Sequence, residues 1–590
     1  MVGTSVIKQA LALVIVAVLV ATSLVMIFTP SVEELPEGDL PTFLSEAQLR
    51  NFLNDRDKGN YNNSNTEGAI GADYHSQTNV QVSGVDELDM IKTDGELLYL
   101  ASSSGVSIIK ATPAESMSNV STLSIADLIG SDNAYGYVQG LFINGDMLAV
   151  VVSVYDTSDL PDYVPFNFSY YWITYESVTC CLIDMSDPYS PLIADRYSIS
   201  GYYIGARMIG DNVYILGQEN VWVMGEISLP QVGVDGDMED VEATSIHFDP
   251  QTEDPGSFLN ILSVDLGTFE NNFTSILTGY SSVLYVSQAN IYITYTSNAN
   301  ALSDVVNLAD DAIVTTVFRL SIDGIEVTPR ARGHVEGYPI NQFSLDEFDG
   351  ILRMAVNTGW SDGDNRVYTL DQDLKVIGSL TGIAPGETLQ SSRFMGTTLY
   401  MVTFLVTDPL FVIDLSDPTS PEIVGELLVP GFSSYLHPCS DDLIAGIGQD
   451  NWTLKISLFN VSDPGSPAEV DTIMAPLYAW SAALWDHKAV LFDERDNTLF
   501  IPVFGWDAET YTSRQEVYII QIGEEGLTLK ANLSIEESNG QVRCSIIGDV
   551  LYTITSSEVT AWDLGTLNEL GRLTYCSTEM PGVIESGVRI

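Results

Sequence analysis

In a chain with only 23 Lys and Arg and five His, the side chains able to move protons or grip an anion are few enough to weigh individually. The richest group is Arg393, Asp408, His437, Asp486, His487 and Lys488. A carboxylate, an imidazole and a fixed cation are the parts of a general acid–base site. Imidazole titrates near neutrality, and a neighbouring carboxylate or guanidinium sets its charge and orientation. Each of these residues falls near a strand or loop start in successive sequence units, so a ring would carry them to one face as a ligand-binding site. The alternative is that they brace adjacent units by hydrogen bonds.

Other chemistries find little support. No H-x-H, H-E-x-x-H or close Cys/His cluster occurs, so zinc is not expected. No P-loop is present. Gly446-Ile447-Gly448 is half a nucleotide fingerprint inside a strand pattern and reads as structural. Cys180 and Cys181 are adjacent, but neighbours on a strand point to opposite faces, which favours core thiols over a vicinal disulfide. Cys544 and Cys576 fall within one repeat and could pair across strands. The acidic insertion between Gly225 and Ser257 gathers Asp235, Asp237, Glu239 and Asp240. It admits calcium, although it lacks EF-hand spacing and a solvated loop explains it as well. A second acidic cluster, Asp86, Glu87, Asp89 and Asp94, suits turn-making and ring closure. No cofactor is identified.

These residues must be positioned by strands. From about Val80 the chain alternates apolar and polar residues in short runs rich in Val, Ile, Tyr and Thr, punctuated by Gly, Asp and Asn. A turn followed by an apolar strand recurs, as in TDGELLYLAS, NGDMLAVVVS, MGTTLYMVTF and IGDVLYTITS. The equivalent positions are Gly95, Gly145, Gly210, Asn290, Gly350, Gly396, Asp441, Asn497 and Gly548. Their gaps of 50, 65, 80, 60, 46, 45, 56 and 51 residues match four-stranded blades, some with insertions. Ser-Asp-Pro turns at Asp187, Asp417 and Asp463 recur in phase and punctuate the blades. The expected fold is all-β, a single large β-propeller over residues 78–577. Nine units can be counted, and eight blades remain open. The strand-forming stretch 79–85 is expected to complete the last blade as a closing strand.

Residues 1–29 read as a signal anchor or transmembrane helix, because Ala10 to Phe28 is a 19-residue uncharged run. Lys8 precedes it and Glu33, Glu34, Glu37 and Asp39 follow, which places the remainder outside the cell membrane in a single-pass topology. Residues 30–77 form a Pro/Glu-rich spacer, a short helix over Ser45–Asp55 and a polar linker, and 578–590 form a tail. The net charge of -57 arises from 80 Asp and Glu against those few cations. Such a field excludes nucleic acid, whose affinity depends on Lys and Arg.

The stretch TNVQVSGVDELDMIKTDGELLYL (78–100) resembles the opening signature of a family of secreted archaeal and bacterial β-propeller proteins distantly related to WD-repeats. FVIDLSDPTSPEIVGEL, GFSSYLHP, LKISLFNVSDPGSPAEVD and ALWDHKAVLFD extend the resemblance over roughly 75–576. It implies the fold and an exported location, and no reaction. The functional expectation is an extracytoplasmic, membrane-tethered binding or surface-scaffold module. Its partners would be the lipid bilayer, through the N-terminal helix, and a protein or glycan ligand. The alternative is an extracellular hydrolase or lyase with an acid/imidazole site at the propeller mouth.

Overall fold

Each of the nine turn-plus-strand units becomes the junction between the first and second strands of one blade. The computed structural model describes residues 40–54 and 75–575, apart from 103, 132–133, 157–174, 222, 225, 251–254, 300–311, 360–362, 406–407, 477, 507–512, 524 and 536–541. Its blades span 91–124, 134–200, 202–278, 281–336, 345–383, 388–429, 432–474, 491–534 and 543–574. The protein is therefore a nine-bladed propeller, and the weaker sequence units at Asn290, Asp441 and Asn497 each head a full blade. The apolar run 10–28 and Cys576 lie outside the described residues. Among the described residues no helix is long and apolar enough to cross a membrane.

Every blade is antiparallel and buries both faces against its neighbours, which is what the alternation requires. Cys180 and Cys181 illustrate it. Both are fully buried free thiols; one joins the core between blades 2 and 3, the other the core between blades 1 and 2.

A recurring clasp links consecutive blades at the rim. An outer-strand glycine lets the next blade's turn between third and fourth strands approach the backbone, so an added Cβ would collide with a carbonyl oxygen. Gly333 receives Leu374 of blade 5, Gly378 receives Pro418 of blade 6, and Gly425 receives Pro464 of blade 7. The Ser-Asp-Pro turns are thus clasps, each shaped by its Asp. Asp417 accepts from the Thr419 amide at 2.9 Å and Asp463 from the Gly465 amide at 3.1 Å.

Ring closure reuses the clasp. Gly571 of blade 9 meets the Ala114 carbonyl of blade 1. The Tyr552 hydroxyl donates to the Ala111 carbonyl at 3.0 Å, and Leu98, Ile109, Ile554 and Val559 fuse the two blades into one core. Blade 9 is built from its own four strands. The stretch 79–85 is not a closing strand; local sequence already supplies blade 9, and the clasp and shared core close the ring.

The long insertion of blade 3 covers the rim. Strands Gln231–Val234 and Asp237–Asp240 form a hairpin that extends blade 2, and Ile246–Phe248 runs parallel beside the outer strand of blade 3. The outer strands of blades 2 and 3 are thereby paired on both sides. The helix Glu46–Asn54 docks there as well. Ser45 Oγ accepts from the Gln48 amide at 3.3 Å, and Gln48 Oε1 accepts from the Leu44 amide at 2.6 Å, a reciprocal cap. Leu49 is fully buried, and Phe43 stacks on Phe248 at 4.0 Å.

Candidate functional site: the belted hub

The family-signature stretch runs round the inside of the ring. His75 bridges to Ile547, and the Ser76 amide donates to the Ile546 carbonyl at 2.7 Å, both in blade 9. The Asn79 amide group donates to the Tyr435 hydroxyl at 3.0 Å and to the His487 carbonyl at 2.8 Å, between blades 7 and 8. The Gln81 side chain donates to the Gln342 and Leu345 carbonyls at 2.9 and 2.8 Å, at the head of blade 5. Gln288 of blade 4 donates to the Ser83 carbonyl at 2.8 Å. Gly84, at φ +79°, turns the chain. Asp86 and Glu87 then pair with Met208 and Arg207 of blade 3, and Asp89 with Leu141 of blade 2. The chain finally becomes the inner strand of blade 1. This belt carries polar side chains into the hub, where those of Asn79 and Gln81 donate to the connector carbonyls of His487 and Gln342 and to Leu345 at the start of an inner strand.

Lys92 fastens the belt. Its ammonium donates to Asp86 at 2.5 Å, to the Glu87 carbonyl at 2.7 Å and to Thr78 Oγ1 at 3.0 Å, which uses all three protons. Burial pushes the Asp86 carboxyl up to about 6, and Lys92 opposes the rise.

On one side of the belt lies a cavity of about 510 Å³. Its walls include Asp86, Asp89, Lys92, Lys488 and Arg543, with Asp94 and Asp211 at first-to-second-strand turns. Arg543 forms an ion pair with Asp486. Burial raises the Asp89 carboxyl against the opposing pull of Arg543 and Lys92. Burial, then the Arg543 charge, holds the Lys488 amine well below the ordinary lysine range. Lys488 Nζ donates to the Leu88 carbonyl at 3.2 Å. An acid raised and an amine lowered thus share one cavity, both shifted by burial.

On the other side lies a sealed cluster. His437 and His487 are both 7% exposed, and neither lines the cavity. His437 Nδ1 is 3.2 Å from the Tyr435 hydroxyl, whereas its Nε2 has no hydrogen-bond partner. Burial, with the Arg393 charge beside it, lowers the His437 imidazole to about 3, so it is neutral. His487 Nε2 faces Glu87 Oε2 at 3.5 Å, and its ring meets Phe343 edge-on at 4.9 Å. Arg393 lies over the Phe343 ring at 5.3 Å, with Nε and Nη1 lacking hydrogen-bond partners.

The six sequence-selected residues thus divide. Arg393, His437 and His487 meet in the sealed cluster, while Asp486 and Lys488 belong to the cavity side. Asp408 opens the third strand of blade 6, opposite Val429, two strands out from the inner edge. Asp235, Asp237, Glu239 and Asp240 lie on the rim hairpin and its turn, and among the described residues no three His, Cys, Asp or Glu gather as a metal would need. Asp249 of that insertion turns inward, to an ion pair with Arg332. Reasoning from the sequence overlooked Asn79, Gln81, Tyr435, Lys92 and Arg543. One signal was available: Lys92 stands inside the acidic cluster of a chain that spends lysine sparingly.

The chain belongs to the family described as "Beta propeller domain", which matches residues 75–567. It is 27% identical to an uncharacterized protein of Methanocaldococcus jannaschii, over 85% of this chain and 83% of that one. It is 26% identical to an uncharacterized protein of Archaeoglobus fulgidus, over 96% and 99%. Among solved structures it is similar to the periplasmic gluconolactonase of Pseudomonas aeruginosa, at 12% identity and a TM-score of 0.33, over 55% of this chain and 92% of that one.

Proposed function

We propose that the propeller is the outward-facing head of a membrane-tethered chain and that it binds a small polar ligand in the hub cavity without transforming it. The observation that carries this reading is the cavity itself. It presents acids, cations and hydroxyl groups from the belt and several blades, with His75 on its wall, while His437 and His487 stay sealed behind the belt. The tether rests on the uncharged run 10–28 and the charges that flank it. The test is a paired measurement on the full chain: thermal unfolding, and calorimetric titration with a panel of glycans, peptides and divalent ions. A ligand whose binding is lost in Lys488→Met and Asp211→Ala, with the melting temperature held, supports the cavity. A ligand lost only in His437→Ala would move the site to the sealed cluster.

One observation favours the hydrolase-or-lyase alternative: Asp89 and Lys488 carry oppositely shifted acid and amine groups in the same cavity. On that reading they, and not His437 or His487, would transfer the proton. Multiple turnover of a bound compound, abolished by Lys488→Met, would replace the binding reading.

A further inference from the structure

A second surface is built on blades 7 and 8. Trp452, Tyr478, Trp480, Trp485 and Trp506 are all exposed, Trp452 at 81% and Trp480 at 38%. The fold gathers them although they come from separate segments. Trp452 sits in the turn between the second and third strands of blade 7, and Tyr478, Trp480 and Trp485 in the connector to blade 8. Trp506 ends the second strand of blade 8. Backbone bonds join these segments. Trp480 and Phe504 exchange two at 2.8 Å each, and the Leu454 amide donates to the Ala479 carbonyl at 2.9 Å. The Trp480 ring lies 5.3 Å from Trp485 and 4.8 Å from Phe504. Blade-to-blade connectors and second-to-third-strand turns share one face of an antiparallel ring. The first-to-second-strand turns that border the cavity lie on the other.

Such a concentration runs against folding economy. Exposed indoles contribute little to the core, and contiguous exposed apolar surface marks an interaction site. The backbone is also strained to present it. Trp452 and Tyr478 both hold positive φ, at 64° and 60°, a region that bulky side chains avoid. Polar groups rim the rings: Asn451 donates to Asp450 at 2.8 Å, and Arg514 to Glu516 at 2.8 Å.

We infer that this aromatic platform on blades 7 and 8 binds an uncharged oligosaccharide. A pyranose ring has an apolar C–H face that packs on an indole and a rim of hydroxyls that needs planar donors and acceptors, and this surface offers both. Charge selects among occupants. The chain carries -57, and the nearby Arg514 is already paired with Glu516. Anionic lipid, nucleic acid and acidic glycans are therefore repelled, whereas a neutral sugar is not. The reading is independent of the hub, since it uses none of the cavity residues.

The test uses the full chain in a sugar-free polyoxyethylene detergent, titrated with maltohexaose, cellohexaose and linear mannohexaose and followed by calorimetry and tryptophan fluorescence. At least one hexasaccharide is expected to bind saturably, with a shift in indole emission. Trp480→Ala with Trp485→Ala should weaken it at least about tenfold at an unchanged melting temperature, and Lys488→Met should leave it unaltered. If the double variant misfolds, Trp452→Ala at its exposed turn supplies the same comparison. The proposal is overturned if none of the three sugars binds, or if the aromatic variants bind as tightly as the parent. It is equally overturned if the platform instead drives adsorption to phosphatidylcholine vesicles or self-association in sedimentation without sugar binding.

Discussion

The two sides of the belt hold similar residue types and put them to different use. Between the head of blade 8 and blades 9, 1, 2 and 3, Lys92, Lys488, Arg543, Asp86 and Asp89 wall a cavity large enough for a ligand. Toward blades 5 to 8, Arg393, His437, His487 and Glu87 are packed among Phe343, Tyr435 and Phe492, and several of their polar atoms lack a partner. One side can exchange with solvent. The other stores the cost of burying polar groups, which burdens stability unless something satisfies them. Composition does not separate them. The position of fifteen or so belt residues does.

Removing the belt should have the largest effect because it serves both sides. A chain that begins at residue 75 loses the docked helix with Phe43 and Leu49 and should melt below the parent, yet it should still unfold cooperatively. A chain that begins at residue 89 loses the Asp86 partner of Lys92 and the Asn79 and Gln81 contacts, and it should lose cooperative unfolding and aggregate. Equal melting temperatures for the two truncations would show that the belt is not structural.

A smaller break distinguishes the two lysines. Lys92→Met leaves Asp86 buried without its cation, and removing one partner of a buried pair costs about 3–5 kcal/mol, readable by urea unfolding. Asp86 is already inclined to protonate, so the loss should shrink at acidic pH. Lys488→Met removes an amine that burial disfavours as a cation and should cost less than the Lys92 change. The reverse order would invalidate the division of roles at the hub.

The sealed side should reveal itself through pH. The His437 imidazole is lowered in the folded protein to about 3, from an ordinary value of 6.5. The unfolded chain therefore binds the extra proton first, and this contribution to stability is complete above about pH 6.5 and is lost as pH falls toward 3. Between pH 7 and pH 5 the loss is about 2 kcal/mol. Asp86, raised to about 6, acts in the opposite sense, since its protonation favours the folded state as pH falls. It titrates alike in parent and variant, so the difference isolates His437. The parent should lose that much more stability than His437→Gln over this interval; identical slopes would mean that the imidazole is not desolvated.

The rim hairpin supplies the smallest effect. Asp237 and Glu239 are exposed, and their joint replacement by Asn and Gln should change stability by less than about 0.5 kcal/mol. A calcium-dependent rise in melting temperature that this variant abolishes would instead install an ion on the hairpin.

Sequence by itself determined the repeating part of this protein. Nine turn units could be counted, with eight blades left open, and all nine became first-to-second-strand junctions, the weak copies at Asn290, Asp441 and Asn497 included, because a turn needs only a residue tolerant of its φ and a strand needs only its alternation. The opposed Cys180 and Cys181 and the helix at Glu46–Asn54 followed from periodicity in the same way. The clasps were half visible: the Ser-Asp-Pro turns were read, while the glycines that receive them were not, since each turn and its glycine belong to different blades. The hub was not legible. The belt is a single stretch with no second copy to compare, and its bonds join positions as distant as Asn79 and His487. Tertiary structure alone decided that His437 is sealed while Lys488 meets a cavity, and that four tryptophans from three segments form one platform. The physical reason is that local pattern fixes which way a side chain points from its own strand, whereas burial depends on what another part of the chain lays over it.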